Sequence, residues 1–181
     1  MNLYSTHLDG LTLIKLTKNV DERGSFTRYL CRRTMKDYGL DFDSAQINHA
    51  HSKVQGTFRG LHMQLGEASE TKIVIVETGK IQDIVIDLRK NSESFQEIFS
   101  INLDQTSFQG IIIPRGFAHG YLTLSQDVNL LYLVDNYYSP AREISINPHQ
   151  ERILNLLEGE IELISQKDKT GLSLDEVLTL I

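Results

Sequence analysis

Between Leu11 and Tyr138 the chain is built of short β-favouring runs separated by turn residues, with no long helical pattern between them. Strands that recur roughly every eight to twelve residues can bury their faces only by folding back on one another, which predicts a sandwich or barrel. The clearest run is KIVIVETGKIQDIVIDL (72–88), two β-branched stretches around TGK, whose permissive glycine predicts a hairpin. LTLIKLT (11–17), SFTRYLC (25–31), FQEIFSINL (95–103), GIIIP (110–114), FAHGYLTL (117–124) and VNLLYLVDNYY (128–138) read as further strands. SAQINHAHS (44–52) and TFRGLHMQL (57–65) read as two strands joined by a turn at Gly56. Helical patterns appear at RRTMKDYGL (32–40), ending near Gly39, and in the tail at HQERILNLL (149–157) and LSLDEVLTL (173–181). Only three prolines occur, and neither a repeat nor a linker divides the chain, so 1–181 reads as a single all-β domain with short peripheral helices.

A chain of 181 residues can bury about 70% of its unfolded surface and needs no staples. The net charge of -6 argues against a general nucleic-acid or membrane-surface binder, although an acidic protein can still carry a local basic pocket for an anionic ligand. The lone Cys31 has no partner for an internal disulfide. MNLYSTHLDG lacks a basic-then-apolar signal pattern, and no stretch approaches the ~20 apolar residues of a membrane span. These features point to the cytoplasm.

A jelly roll encloses a cavity lined by inward side chains, so polar residues on strands are the candidates for chemistry. They are Gln46, Asn48, His49, His51, Arg59, His62, Lys72, His119, Tyr132 and Tyr138. Each also has a structural explanation: Lys72 a solvated strand edge, Tyr132 the edge of the core, His119 a turn. In TFRGLHMQL, His62 is either a satisfied core histidine or a base facing a pocket. By strict alternation Arg59 and His62 face opposite sides, and both reach one cavity only if the strand bulges at Gly60. His49 and His51 share a face and could ligate an ion with Glu67 or Glu70 and His119, but the glycine-framed spacing of metal-binding barrels is not reproduced. Cys31 lies beside Arg32 and Arg33 without a local histidine, and TGK is a turn rather than a phosphate loop.

Several segments together carry a resemblance: DERG (21–24), QINHAHS (46–52), FRGLHMQ (58–64), TK (71–72) through IDLR (86–89), IPRGFAHGY (113–121), YLVDNYY (132–138) and ISQKDKTGLSLDE (164–176). In order and spacing they resemble the nucleotide-sugar 3,5-epimerases, typified by dTDP-4-dehydrorhamnose 3,5-epimerase, over nearly the whole chain. The resemblance implies a cupin-type jelly-roll barrel acting as a homodimer with neither metal nor organic cofactor. Its implied partner is a nucleotide-diphosphate sugar, with no nucleic acid or membrane involved. The implied chemistry inverts the carbons flanking the 4-keto group of a 6-deoxyhexose. His62 matches the base, Lys72 the cation that stabilises the enolate, and Tyr132 the acid that returns a proton on the opposite face. Arg23 and Arg59 match diphosphate or sugar contacts, His119 a sugar-facing histidine, and Gln46 and Asn48 positions near nucleotide and sugar; Tyr138 joins the substrate-binding set.

Two departures from the family pattern carry expectations of their own. The resemblance implies that the base leans on an aspartate following the tyrosine pair, yet REISINPH (142–149) contains none. Ile146, Asn147, Pro148 and His149 occupy that stretch. The expectation is a base without its charged partner, with Asp83 or Asp87 as substitutes, and with reduced, single-carbon or lost activity. The second is Arg28, in place of a glutamate associated with the nucleotide base. Because arginine only donates, a CDP-sugar becomes the alternative to dTDP. A non-catalytic sugar-nucleotide binder and a metal-dependent cupin complete the alternatives.

Overall fold

The computed structural model describes residues 1–181. Strands β1 (Asn2–Ser5), β2 (Thr12–Lys15), β3 (Lys18–Asp21) and β4 (Gly24–Thr27) precede helix α1 (Arg32–Asp37). Then come β5 (Gln46–Ser52), β6 (Thr57–Gln64), β7 (Lys72–Thr78), β8 (Lys80–Asp87), β9 (Ile98–Asp104), β10 (Gly110–Ile113), β11 (Phe117–Thr123), β12 (Val128–Val134) and β13 (Glu143–Ser145). The tail adds α2 (Glu151–Leu154), β14 (Leu163–Ile164), α3 (Gln166–Lys169) and α4 (Leu174–Leu180). One sheet runs β1-β2-β10-β7-β12-β5 and the other β13-β6-β11-β8-β9, with β14 pairing β6. From β5 to β13 consecutive strands alternate between two facing sheets, except β8 and β9, which pair in the same one, and this makes a jelly roll.

The 72–88 run is a correction to the expected hairpin. Strands β7 and β8 belong to different sheets and do not pair with each other. Gly79 turns the corner between them with φ +84°, where a Cβ would lie 2.8 Å from the Val128 side chain. A glycine turn signals a sharp reversal but not which neighbour each strand then finds. Both strands are apolar at nearly every position because both faces of each sheet are covered. Val74 and Val76 face the inter-sheet core with Ile81, Val85 and Leu130. Ile73 and Ile75 face outward onto Met35 of α1 and Phe42. On the other sheet, Ile84 and Ile86 face outward onto Ile153 of α2 and Leu174 and Val177 of α4.

Other expected elements are shorter, and β1, β3, β14 and α3 were not expected. Of SFTRYLC only Ser25–Thr27 is strand, within β4, which pairs with β3 in a separate two-stranded hairpin, and the 149–157 helix shrinks to Glu151–Leu154. No helix is long and apolar enough to cross a membrane.

Candidate active site

Strand β6 carries one residue more than its partner matches. His62 lies opposite His119 and Arg59 opposite Tyr121, so three steps on β6 span two on β11. The extra residue falls at Gly60–Leu61. Gly60 has φ +117°, and a Cβ there would stand 2.5 Å from Gly120 Cα, so only glycine fits. The bulge answers the alternation problem: Arg59 and His62 both line the inter-sheet cavity, while Leu61 and Met63 pack outward.

The bulge also frees the Gly60 N–H, which donates to Asp168 Oδ2 at 3.3 Å. Asp168 sits on α3, its N–H donating to the capping Ser165 hydroxyl at 3.1 Å. The same carboxylate accepts from His62 Nε2 at 2.6 Å and from Ser145 Oγ at 3.1 Å. Burial alone would raise the Asp168 carboxyl, but the hydrogen bond and charge of His62, with the Gly60 N–H, hold it below its ordinary value. An ionised carboxylate accepting from Nε2 leaves the neutral ring with Nδ1 as its basic nitrogen. The expectation of an unpartnered base is therefore corrected: the aspartate comes from the ISQKDKTG segment, not from 142–149. Nor do the proposed substitutes serve His62. Asp83 accepts from His119 Nε2 at 2.8 Å, and Asp87 is bound by Arg89, Ser92 and Ser94.

The opposite wall comes from the other sheet. Alternation on β7, β12 and β5 sends Lys72, Tyr132, Gln46 and Asn48 inward, and all four line the cavity of about 750 Å³. Tyr132 and Asn48 are cross-strand neighbours. Burial, then the negative charge of Glu70, push the Tyr132 hydroxyl above its ordinary value, against the pull of Arg59. Glu70 Oε1 pairs with Lys72 Nζ at 3.2 Å. At the mouth, Tyr138 donates to Glu143 Oε2 at 2.7 Å, and Lys167 pairs with the same carboxylate. Arg59 donates to Ser52 Oγ and to the His51 carbonyl at 3.1 and 2.9 Å.

His62, Lys72, Tyr132, Gln46, Asn48, Arg59, His119 and Tyr138 thus converge on one cavity. Arg23 and Arg28 do not. Arg23 lies in the turn between β3 and β4, exposed and tied to Asp21 at 2.6 Å, and Arg28 is exposed just beyond β4. The metal arrangement also fails on geometry. His49 and His51 point out from the sheet towards Asn129 and Asp127, away from His119, and no three ligand-type side chains gather to hold an ion.

Residues 5–176 match the family model described as dTDP-4-dehydrorhamnose 3,5-epimerase. The chain belongs to this family. Among curated epimerases of that description, the one from Salmonella typhimurium is 36% identical over 160 residues, 87% of each chain. The one from Escherichia coli is 31% identical over 182 residues, covering 99% of this chain and 98% of its own. The solved epimerase of Bacillus anthracis, with TDP and pyrophosphate bound, has a TM-score of 0.90 at 28% identity, covering 96% of this chain and 99% of its own. That of Legionella pneumophila, in complex with dTDP-4-keto-L-rhamnose, has a TM-score of 0.89 at 30% identity, over 96% of this chain and 93% of its own. The chain is accordingly a sugar epimerase of deoxysugar biosynthesis with the cupin-like jelly roll of that family.

In this epimerase three site groups escaped sequence reasoning: Asp168, Glu143 and the pairing role of Glu70. For Asp168 the only local signal is S-x-x-D at 165–168, which reads equally as a helix cap. Glu70 stands two residues before Lys72 in the loop that leads into β7, where no strand alternation signals the pairing.

Proposed function

We propose that this chain inverts C3, C5 or both of dTDP-4-dehydro-6-deoxyglucose by transferring protons between opposite walls of the cavity. The ketone acidifies the hydrogens on its neighbouring carbons. His62 Nδ1 takes one of them, and the imidazolium formed is stabilised by Asp168. The electron pair moves onto the keto oxygen as an enolate, where the Lys72 ammonium stabilises it. Tyr132, kept protonated by burial and by Glu70, delivers a proton to the opposite face, which inverts the centre. The opposition of His62 and Tyr132, on facing sheets of one cavity, carries this reading. Arg59 suits the diphosphate, whose oxygens a guanidinium fork matches. The presence of Asp168 removes the reason for expecting an inactive homologue, and the TDP bound by the Bacillus anthracis epimerase and the dTDP-4-keto-L-rhamnose bound by that of Legionella pneumophila favour dTDP over a CDP-sugar.

The same reading includes a cytoplasmic homodimer. The β3–β4 hairpin joins neither main sheet, and Val20 and Phe26 on it are 73% and 62% exposed. A lone two-stranded ribbon is marginal in water, so a second copy is its natural support. In such a dimer the hairpin carries Arg23 and Arg28 towards substrate in the other protomer.

Incubation with the keto sugar in D2O, followed by NMR, tests the chemistry. Label should enter at C3, C5 or both, and His62→Ala or Tyr132→Phe should slow turnover by roughly 10²–10⁴ while nucleotide binding persists. Undiminished turnover in His62→Ala would remove His62 as the base.

A further inference from the structure

Lysine is a poor electrostatic catalyst unless its ammonium is held still. Four rotatable bonds separate Nζ from the strand, and a charge that must reorient when the enolate forms loses much of its effect. Lys72 is held here by a carboxylate that the proton-transfer scheme does not itself require. Glu70 Oε1 lies 3.2 Å from Lys72 Nζ, and the two side chains are only 10% and 15% exposed. The carboxylate is itself clamped: Gln64 Nε2 donates to Glu70 Oε2 at 2.8 Å. Gln64 is buried, and its amide orientation is fixed because its Oε1 accepts from the Ser139 N–H at 2.6 Å while its Nε2 also reaches the Ala68 carbonyl at 3.0 Å. A rigid chain of contacts therefore runs from β6, two residues beyond His62, through Gln64 and Glu70 to the ammonium on the facing sheet.

Resting on the epimerase reading above, we propose that Glu70 is a positioning residue: clamped by Gln64, it fixes the Lys72 ammonium in the cavity so that the cation is in place before the enolate oxygen develops. Glu70 touches no reacting atom, and its effect passes through Lys72. Its negative charge also reaches Tyr132, which faces Arg59 and Glu143 as well, and it helps keep that hydroxyl protonated.

The experiment is a double-mutant cycle on Glu70 and Lys72, read as the rate of deuterium incorporation next to the ketone. Glu70→Gln keeps the shape and removes the charge. It should lower kcat about tenfold, a smaller loss than removal of an electrostatic donor itself, with KM nearly unchanged. The alkaline limb of its pH profile should move to lower pH. Glu70→Asp, which retains the charge and withdraws the carboxylate, should fall between Glu70→Gln and wild type. In a Lys72→Met background the effect of Glu70→Gln on kcat at pH values below the alkaline limb should vanish, because there the two residues act as one unit. A Glu70→Gln rate equal to wild type, or an equal loss with and without Lys72, overturns the inference alone. Absence of label incorporation by the wild-type protein overturns the epimerase reading and this inference with it.

Discussion

His62 owes its usable nitrogen to Asp168. With Nε2–H donated to the carboxylate at 2.6 Å, the neutral imidazole keeps Nδ1 as its free basic nitrogen, the atom the proposed proton transfer uses. Replacing the carboxylate by an amide removes the charge that stabilises the imidazolium and lets an amide N–H compete for Nε2, selecting the wrong tautomer. Asp168→Asn should therefore lower kcat by up to about 10⁴, the loss seen when the acidic member of a catalytic triad is neutralised. Steady-state kinetics checks this, and nucleotide affinity should hold because the cavity is otherwise intact. The pair His119–Asp83 repeats the arrangement in the same cavity but is more deeply buried, with side chains 9% and 0% exposed against 28% and 5%. Of the two imidazoles, His62 is the one with room to exchange a proton with substrate.

At the scale of elements, the bulge in β6 is the device that makes one strand serve two purposes. Its outward residues seal the core beneath α2 and α4, while Arg59 and His62 turn inward together. Gly60→Ala would force a Cβ to 2.5 Å from Gly120 Cα and 2.7 Å from the His119 carbonyl at a φ that L residues avoid. The expected loss is roughly 2–4 kcal/mol of stability, measured by denaturant unfolding, together with activity. This bulge was legible in the sequence because Arg59 and His62, three apart, otherwise face opposite ways. The sheet partners of β7 and β8 were not. With both faces of each sheet covered, residues 73–76 and 84–86 are apolar throughout, and the alternation that would reveal facing and pairing disappears. His62, Lys72 and Tyr132 were legible through family resemblance, since each lies within a quoted motif. Asp168 was legible only as part of a matched segment, because its partnership with His62 spans 106 residues and leaves no local periodicity.

At the scale of the molecule, the cavity is walled by both sheets and closed at one side by the C-terminal segment, whereas the β3–β4 hairpin stands apart. If that hairpin is covered by a second copy, Phe26→Glu should place an unpaired charge in the contact. Light scattering after gel filtration should then shift from a dimer's mass to that of one 20.6 kDa chain. A variant that remains dimeric would exclude the hairpin from the contact. The C-terminal segment carries a different consequence. His62 and its carboxylate meet only when chain regions 106 residues apart have docked, long after neighbouring strands can pair. Turnover is therefore a clock for the last stage of assembly. On refolding from denaturant, far-UV circular dichroism should recover first, and epimerase activity should lag until α3 seats Asp168 behind the imidazole.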